Sequence, residues 1–466
     1  MRKAFLVLLA AAAWIGAACG DGKSHGPDGD ADADALAEGI DPDMEIDIEP
    51  DRTDGDIVHE DVLEEDVEED DGPPPVTLLT YGYDPRRGAD DPVDSPHGGN
   101  IYFIATDGSD DNDGLSEETP WATFARANEA VQAGDIVYVR RGVYTEYVVL
   151  GVIGSEPPAD YRSRGTEEAP ITWRSYPGEV AVIDCAAGTI DTAAFRLFWV
   201  EWNIVKNFEL RNASAGGLAV FWSTDNVLDN LYMHDNGGSG MGSSNSSRNT
   251  IRHCTAENNY DEETGGENAD GFAVSNAGDN LFEFCVALDN SDDGFDMWES
   301  TANTISDCVA YGSGRDTGGD GNGFKLGGAD TGGDNTVTRC IAFQNMSSGF
   351  SSNTGDNNQP NTLYSNTSWA NETGFSLYAL PHVARNNLDY ASGGNYVEDL
   401  VDDLVNSWND PPGVVLDASD FLSLEPAEIE TLFLRLAPGS EAVDAGLDVG
   451  LSFNGEAPDL GAFESI

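Results

Sequence analysis

The chain has 466 residues, which is enough for two or three ordinary domains or for one long repetitive one. Its 53 glycines and 9% aromatic residues favour a β-rich protein with many turns over a helical one. The formal net charge of -63, with 22 lysines and arginines in total, argues against nucleic acid as a partner, because phosphate binding needs clustered basic residues.

The first 19 residues have the pattern of a secretion signal. A short basic start precedes an apolar run over residues 4–18, which is too short to remain as a membrane span. Cys19 follows a Gly-Ala-Ala tripeptide, as in bacterial lipoprotein cleavage sites, although Gly16 stands where leucine is usual. We therefore expect an extracellular or cell-surface protein. It carries either a plain signal peptide or a lipid anchor at Cys19, and in the second case it is an outer-membrane lipoprotein.

Residues 20–75 are dominated by aspartate and glutamate and lack aromatic residues. Such a segment cannot bury enough apolar surface to offset its chain entropy, so we predict a disordered, extended acidic linker. A run of calcium-binding aspartates is the alternative, but the segment lacks the loop spacing and closing glutamate of an EF-hand. The folded domain is expected over residues 76–466.

The centre of that domain repeats a short unit that begins with asparagine and alternates apolar and polar residues. The units begin at Asn203, Asn226, Asn249, Asn280, Asn303, Asn335 and Asn361. A base period of 23 residues with loop insertions, rich in glycine, asparagine and threonine, predicts a solenoid of short strands and turns. The fold class is therefore all-β, a parallel β-helix whose rungs stack about 4.8 Å apart and whose asparagines form a ladder.

One column of this repeat consists of cysteines, namely Cys254, Cys285, Cys308 and Cys340. Adjacent rungs are close enough for a disulfide. The same slot holds Phe208 and Leu231 in earlier rungs, which favours buried free thiols that act as small apolar residues.

The two ends of the domain depart from the repeat, as the ends of a solenoid must. Residues 101–146 read as strand, polar loop, helix and strand, and the helix, predicted over residues 123–133, would cap the open end. The loop 108–114 is interpreted as a turn rather than a calcium site. At the other end, residues 425–466 form a closing segment with a small helix over residues 426–434. We expect a monomer.

A second repeat places chemistry-bearing residues beside one another. Gly-Phe recurs at Phe272, Phe295, Phe324, Phe350 and Phe375, which should stack in the core. The residues just before the glycine are Asp270, Asp293, Asn322, Ser348 and Thr373, and those just after the phenylalanine are Ala273, Asp296, Lys325, Ser351 and Ser376. Since side chains alternate along a strand, Asp296 and Lys325 should share an outer face on adjacent rungs.

The acids of these columns are concentrated in two rungs. Asp270 and Asp293 should be neighbours with Asp292 beside them, and carboxylates about 4 Å apart repel each other by roughly 1–4 kcal/mol. A hard cation explains such clustering, and Ca2+ prefers several oxygen ligands in a flexible cage. The alternative is that these aspartates form turns, which does not explain their concentration beside Lys325. Lys325 itself is either functional or a surface lysine paired with Asp296.

Three segments together resemble polysaccharide lyase family 9, the parallel β-helix pectate lyases. They are Asn268-Ala-Asp-Gly-Phe272, Asn290-Ser-Asp-Asp-Gly-Phe-Asp296 and Gly321-Asn-Gly-Phe-Lys-Leu-Gly-Gly328. The resemblance covers about residues 101–464 and implies a right-handed parallel β-helix. It implies that Asp270, Asp292, Asp293 and Asp296 hold Ca2+ and that Lys325 is the catalytic base. The implied substrate is an acidic polysaccharide, polygalacturonate or pectin, cleaved by β-elimination.

Two other functions stay open from the residues alone. A polygalacturonase-type hydrolase on the same fold would use a carboxylate pair for acid and base catalysis, and Asp292 and Asp293 could be misassigned in that way. The Gly-His-Gly and Arg-Ile-Lys signatures of that family are absent from the sequence. A non-catalytic surface protein that binds acidic glycans through calcium is the other alternative, and the intact motif around Lys325 argues against it.

Overall fold

The structure, a computed structural model, describes residues 79–154, 164–188, 190–314, 318–328, 331–353 and 357–465. The predicted signal with Cys19 and the acidic linker 20–75 lie outside the described residues, so both stay predictions. Within the described part of the chain, no helix is both long enough and apolar enough to cross a membrane.

The described residues form short strands with one α-helix near the N-terminal end. In chain order the elements are β1 (Ile101–Ile104), α1 (Phe124–Ala130), β2 (Ile136–Val139), β3 (Gly142–Tyr144), β4 (Val148–Gly151), β5 (Ile171–Ser175), β6 (Ala181–Asp184), β7 (Ala193–Phe198), β8 (Asn203–Lys206), β9 (Phe208–Arg211), β10 (Gly216–Phe221), β11 (Val227–Asp229), β12 (Tyr232–His234), β13 (Met241–Ser244), β14 (Thr250–Arg252), β15 (Thr255–Glu257), β16 (Phe272–Ser275), β17 (Leu281–Glu283), β18 (Val286–Leu288), β19 (Phe295–Asp296), β20 (Thr304–Ser306), β21 (Val309–Tyr311), β22 (Phe324–Lys325), β23 (Thr336–Thr338), β24 (Ile341–Phe343), β25 (Ser348–Ser351), β26 (Thr362–Tyr364), β27 (Thr367–Trp369), β28 (Thr373–Leu377), β29 (Val383–Arg385), β30 (Leu388–Tyr390), β31 (Tyr396–Val397) and β32 (Asp402–Leu404).

These strands wind into three parallel sheets, and every third strand along most of the chain returns to the same sheet. Sheet 1 has the order β1-β2-β5-β8-β11-β14-β17-β20-β23-β26-β29-β32. Sheet 2 runs from β3 to β30 and sheet 3 from β4 to β31, with ten strands each. This topology confirms the prediction of an all-β parallel β-helix.

The predicted asparagine ladder runs along the start of sheet 1. The backbone N–H of Asn203 donates to Oδ1 of Asn226 over 2.9 Å, and the same bond recurs rung by rung to Asn361. The last rung differs, because the N–H of Asn361 donates to Nδ1 of His382 over 2.9 Å. The ladder provides hydrogen-bond acceptors for buried backbone N–H groups at a turn, where no neighbouring strand provides one. It also fixes the position of each rung on the next.

The interior is filled by columns of apolar side chains, as the repeat predicts. Phe272, Phe295, Phe324, Phe350 and Phe375 stack with ring centroids 4.8–4.9 Å apart. The cysteine column is equally buried, and Cys254, Cys285, Cys308 and Cys340 are free thiols, as predicted. Because identical side chains stack in the core, adjacent strands cannot slip relative to one another. The outward-facing residues next to these side chains therefore have fixed positions as well.

The ends of the coil contain helices at the predicted places, and these helices are shorter than predicted. Helix α1 spans Phe124–Ala130 instead of residues 123–133. Thr123 is its N-cap, and Val131 already has an extended backbone. Near the C-terminus the predicted helix over residues 426–434 is a single 3₁₀ turn, Pro426–Glu428. Loop 108–114 behaves as a turn: Asp113 accepts hydrogen bonds from Leu115 N–H and the Thr119 hydroxyl.

Candidate active site

Three neighbouring strands of sheet 3 place the predicted site. Strands β16, β19 and β22 pair in register, so that Ala273, Asp296 and Lys325 lie side by side. The phenylalanine before each of them points into the core, and these three residues therefore point to the outer face. The predicted sharing of one face by Asp296 and Lys325 is confirmed.

A glycine before each of these strands lets the rungs approach closely. A Cβ on Gly294 would lie 2.6 Å from the carbonyl oxygen of Gly323, and one on Gly271 would lie 2.6 Å from that of Gly294. No larger residue fits there without moving the backbone. The acidic residues directly before these glycines are consequently stacked on one another.

Three of the four predicted ligands meet at one point. Carboxylate oxygens of Asp270, Asp293 and Asp296 lie within 4.8 Å of one another, and all three side chains are buried. Asp292 belongs to a second group with Asp293 and Asp320, whose oxygens satisfy the same limit. The four predicted acids are therefore adjacent, and Asp293 lies in both groups.

Hydrogen bonds engage some of these carboxylate oxygens and not others; Oδ1 of Asp293, for example, accepts the backbone N–H of Asn322 over 2.7 Å. Asp292 accepts the backbone N–H of Asn268 on one oxygen over 3.0 Å and that of Asp320 on the other over 2.6 Å. Asp270 accepts the backbone N–H of Asp293 over 3.1 Å. By contrast, Oδ2 of Asp293 and both oxygens of Asp296 are buried and accept no hydrogen bond.

Lys325 reaches into this cluster. Its Nζ lies 3.0 Å from Oδ2 of Asp293, 3.2 Å from Oδ2 of Asp296 and 3.0 Å from Oδ2 of Asp320. Its side chain is 5% exposed, whereas that of Asp320 is 65% exposed and faces solvent. Lys325 is thus a buried cation shared by three carboxylates rather than a surface lysine paired with Asp296 alone.

Burial and crowding shift the pKa values of the whole group. Burial raises the pKa of Asp270 well above its usual range, and the charges of Asp292 and Asp296 raise it further. Burial raises the pKa of Asp296 to about 7, against the opposing effect of Lys325. Burial alone would lower the pKa of Lys325, but Asp293, Asp296 and Asp320 hold it well above its usual value. The buried carboxylates repel one another, and additional positive charge at the site would reduce this repulsion and lower their pKa values.

The donor set suits Ca2+. Asp293 and Asp296 both present buried oxygens without hydrogen bonds, and the residues whose oxygens converge are all carboxylates, which are ligands that Ca2+ prefers. A divalent cation would offset the repulsion that raises the pKa values of these acids. These residues therefore fit the cation that the sequence predicts.

Two side chains at the site were missed from the sequence. Asp320 lies five residues before Lys325 and reaches it across a glycine-rich loop whose shape the repeat does not define. Trp298 lies two residues after Asp296, and its ring centroid is 5.7 Å from Nζ of Lys325. A Cβ on Gly328 would lie 2.5 Å from this indole, so the lack of a side chain at Gly328 makes room for the ring. Strand alternation could have predicted Trp298 on the outer face.

Known proteins share this architecture. The family model described as the Pel9A-like, right-handed β-helix region matches residues 102–387. The chain belongs to polysaccharide lyase family 9. A relative, pectate lyase L of Dickeya chrysanthemi, is 31% identical over 402 residues, which cover 78% of this chain and 90% of that protein. Pectate lyase PEL9 of Emericella nidulans is 29% identical over 355 residues, which cover 66% of this chain and 83% of that protein.

Two solved structures have this fold. The crystal structure of pectate lyase Pel9A superposes with a TM-score of 0.69 at 29% identity and covers 81% of this chain and 99% of that one. A rhamnogalacturonan lyase shares the fold with a TM-score of 0.59 at 23% identity, covering 73% of this chain and 97% of that one. The family 9 chain is thus a polysaccharide lyase, an enzyme, as predicted.

Proposed function

We propose that this family 9 lyase is a pectate lyase, which cleaves polygalacturonate by calcium-assisted β-elimination with Lys325 as the base. The observation that carries the proposal is the position of Lys325, a buried amine on the outer face of sheet 3 beside Asp296 in register. The relatives named as pectate lyases support the substrate.

β-Elimination needs a single base, which removes the proton from C5 of the sugar. Galacturonate has a hydrogen on C5, next to the carboxylate at C6. Neutral Lys325 takes that proton, the C5 electron pair forms a double bond to C4, and the bond from C4 to the glycosidic oxygen breaks. The departing oxygen takes up one proton from solvent, and Lys325 returns the proton it took to solvent, so that the amine is neutral again. The products are a new reducing end and an unsaturated uronide, and no water is consumed.

The acids around Lys325 prepare it for this role. Asp270, Asp292, Asp293 and Asp296 would hold Ca2+, which when bound supplies positive charge to the uronate carboxylate and acidifies the C5 hydrogen. Two of these acids, Asp293 and Asp296, also contact Nζ of Lys325. When their charge is shared with another cation, the pKa of Lys325 falls and the amine can lose its proton. A lysine base also predicts a rate that rises towards alkaline pH.

A cation at these residues also accounts for binding of a polyanion by an acidic protein. The formal charge of -63 would otherwise repel polygalacturonate. We further propose that the enzyme acts as a monomer outside the cell or on its surface, either secreted or anchored through Cys19. The composition of the first 19 residues supports this location.

The test is product chemistry. Wild-type protein is incubated with polygalacturonate in calcium and in excess chelator, and two signals are followed: ultraviolet absorbance of unsaturated uronides and new reducing ends. Both should rise together in calcium, and neither should rise in chelator. Reducing ends without absorbance would favour the hydrolase, and binding without new ends would favour a glycan-binding protein, so either result would refute the lyase proposal.

A further inference from the structure

Arg196 lies on the same outer face of sheet 3 as the candidate active site. It sits in β7 between Phe195 and Leu197, both of which are fully buried in the core. Pairing along the sheet places Arg196 in one column with Asp296 and Lys325. Four rungs separate Arg196 from Asp296, which is about 19 Å at the usual strand spacing.

The guanidinium of Arg196 has no partner among the described residues. The residue is 8% exposed, and its Nε is buried without a hydrogen bond. Other described arginines donate to a carboxylate or carbonyl oxygen or lie over an aromatic ring, as Arg211 does with Asp184, Arg141 with Gly178 and Arg435 with Phe463. In a chain with 85 acidic residues, this lack of a partner is unusual.

A buried charge without a counter-ion is costly, since desolvation is not repaid by any contact. The titratable groups that act on Arg196 are Cys185 and Tyr147, and burial lowers the pKa of the arginine. Neither group supplies a carboxylate. The expected missing partner is an anion from outside the chain.

The outer column between Arg196 and the acids carries small side chains. Ala219, Gly242 and Ala273 occupy the three intervening rungs. No long side chain of this column therefore separates Arg196 from Asp296. An extended polymer lying along the sheet would meet both.

We propose that Arg196 binds a carboxylate of the uronate chain at a subsite four rungs from the catalytic centre. This inference rests on the proposed function, because it takes polygalacturonate as the polymer. The guanidinium offers a planar pair of donors that suits a carboxylate. The subsite would select substrates that are both long and acidic at that position.

The test measures binding of oligogalacturonates in calcium to a Lys325→Met background, which prevents turnover. Arg196→Met is compared with the background alone, using octagalacturonate, trigalacturonate and monomeric galacturonate. A charge-assisted pair is worth roughly tenfold to a hundredfold in affinity. We expect the octamer Kd to rise by about that factor, while trimer and monomer are unchanged because they cannot reach from the catalytic centre to Arg196.

Arg126→Met is the matched control, since it removes one positive charge from α1, where Arg126 stacks on Trp121. It should change no Kd by more than about twofold, because surface charges act weakly through solvent. Unchanged octamer affinity in Arg196→Met, or an equal loss for all three ligands, would overturn the subsite alone. If the background binds no oligogalacturonate at all, both the subsite and the proposed substrate fail.

Stability separates binding from a structural role. Replacing an unpaired buried charge with an apolar side chain of similar length should leave Tm equal or higher. A lower Tm with unchanged octamer affinity would identify a structural arginine and refute the inference. Arg196→Lys keeps the charge and loses the planar pair, so it should fold and show an intermediate octamer Kd.

Discussion

Replacing Lys325 with methionine should lower the free energy of unfolding, because the acid cluster loses its only bonded cation in the part of the chain that the structure describes. The change keeps the length and apolar stem of the side chain and removes the ammonium that contacts Asp293 and Asp296. Both partner carboxylates are buried and accept no hydrogen bond on the contacting oxygen. The variant therefore leaves two buried charges without a cation.

The size of the effect follows from the distances. Unit charges 3.0 Å apart, as Lys325 and Asp293 are, attract by roughly 5.5 kcal/mol at an effective dielectric of about 20. Asp320 adds little because its side chain is 65% exposed and solvent screens it. Breaking a buried pair usually costs about 3–5 kcal/mol. We expect a loss of that order in the free energy of unfolding, and the loss should grow with pH because the remaining acids take up protons at low pH.

The assay is urea unfolding in chelator and in millimolar calcium. Calcium should recover most of the loss, since a bound ion replaces the missing positive charge. Lys206→Met is the matched control: Lys206 lies 3.6 Å from Asp91 and 3.7 Å from Asp229, away from the site. It should cost less than Lys325→Met and show no calcium dependence, because Asp229 keeps Arg252 over 3.1 Å and Asp91 keeps Arg174 over 2.8 Å. Full stability of Lys325→Met in chelator, or no recovery in calcium, would refute the reasoning.

Two further predictions concern residues beyond the acid cluster. His382 is buried and its pKa is lowered by burial, so its neutral ring accepts the N–H of Asn361. Wild-type stability should therefore fall as the pH drops below 6.5, the ordinary pKa of histidine. The variant His382→Asn restores the ladder residue and should remove that part of the pH dependence in thermal melts. Identical pH profiles of the two proteins would contradict this. Trp298→Ala should raise KM for polygalacturonate roughly threefold to tenfold with little change in kcat, because a sugar ring can stack on the face of the indole. Steady-state kinetics that show a lower kcat at unchanged KM would exclude this role in substrate binding.

Much of the architecture could be predicted from the sequence because every repeat of a solenoid has the same sequence pattern and folds in the same way. The recurrence of asparagine and of Gly-Phe defined the rungs, and register then followed from stacking. That register was enough to predict that Asp296 lies beside Lys325. The limits lay where the repeat is interrupted. Helix α1 ends at Ala130 because Val131 turns to an extended backbone, which propensity alone did not indicate.

The site was predicted less completely than the fold. Periodicity identifies neighbours along a column, so it brought Asp270 and Asp293 together. It does not describe inserted loops, so Asp320 was missed. It also left open that Lys325 is a surface lysine, whereas both Asp296 and Lys325 are buried. The inserted loop before Lys325 helps to enclose the acids, because the backbone N–H groups of Asp320 and Asn322 donate to Asp292 and Asp293.

The most direct test of the account is the initial rate of unsaturated uronide formation from polygalacturonate by Lys325→Met. It is measured at saturating calcium, after calcium binding by the variant has been verified by titration. Removal of a general base should lower the rate by about 10²–10⁴-fold while calcium still binds. A rate equal to that of the wild type would show that Lys325 is not the base and would contradict the mechanism.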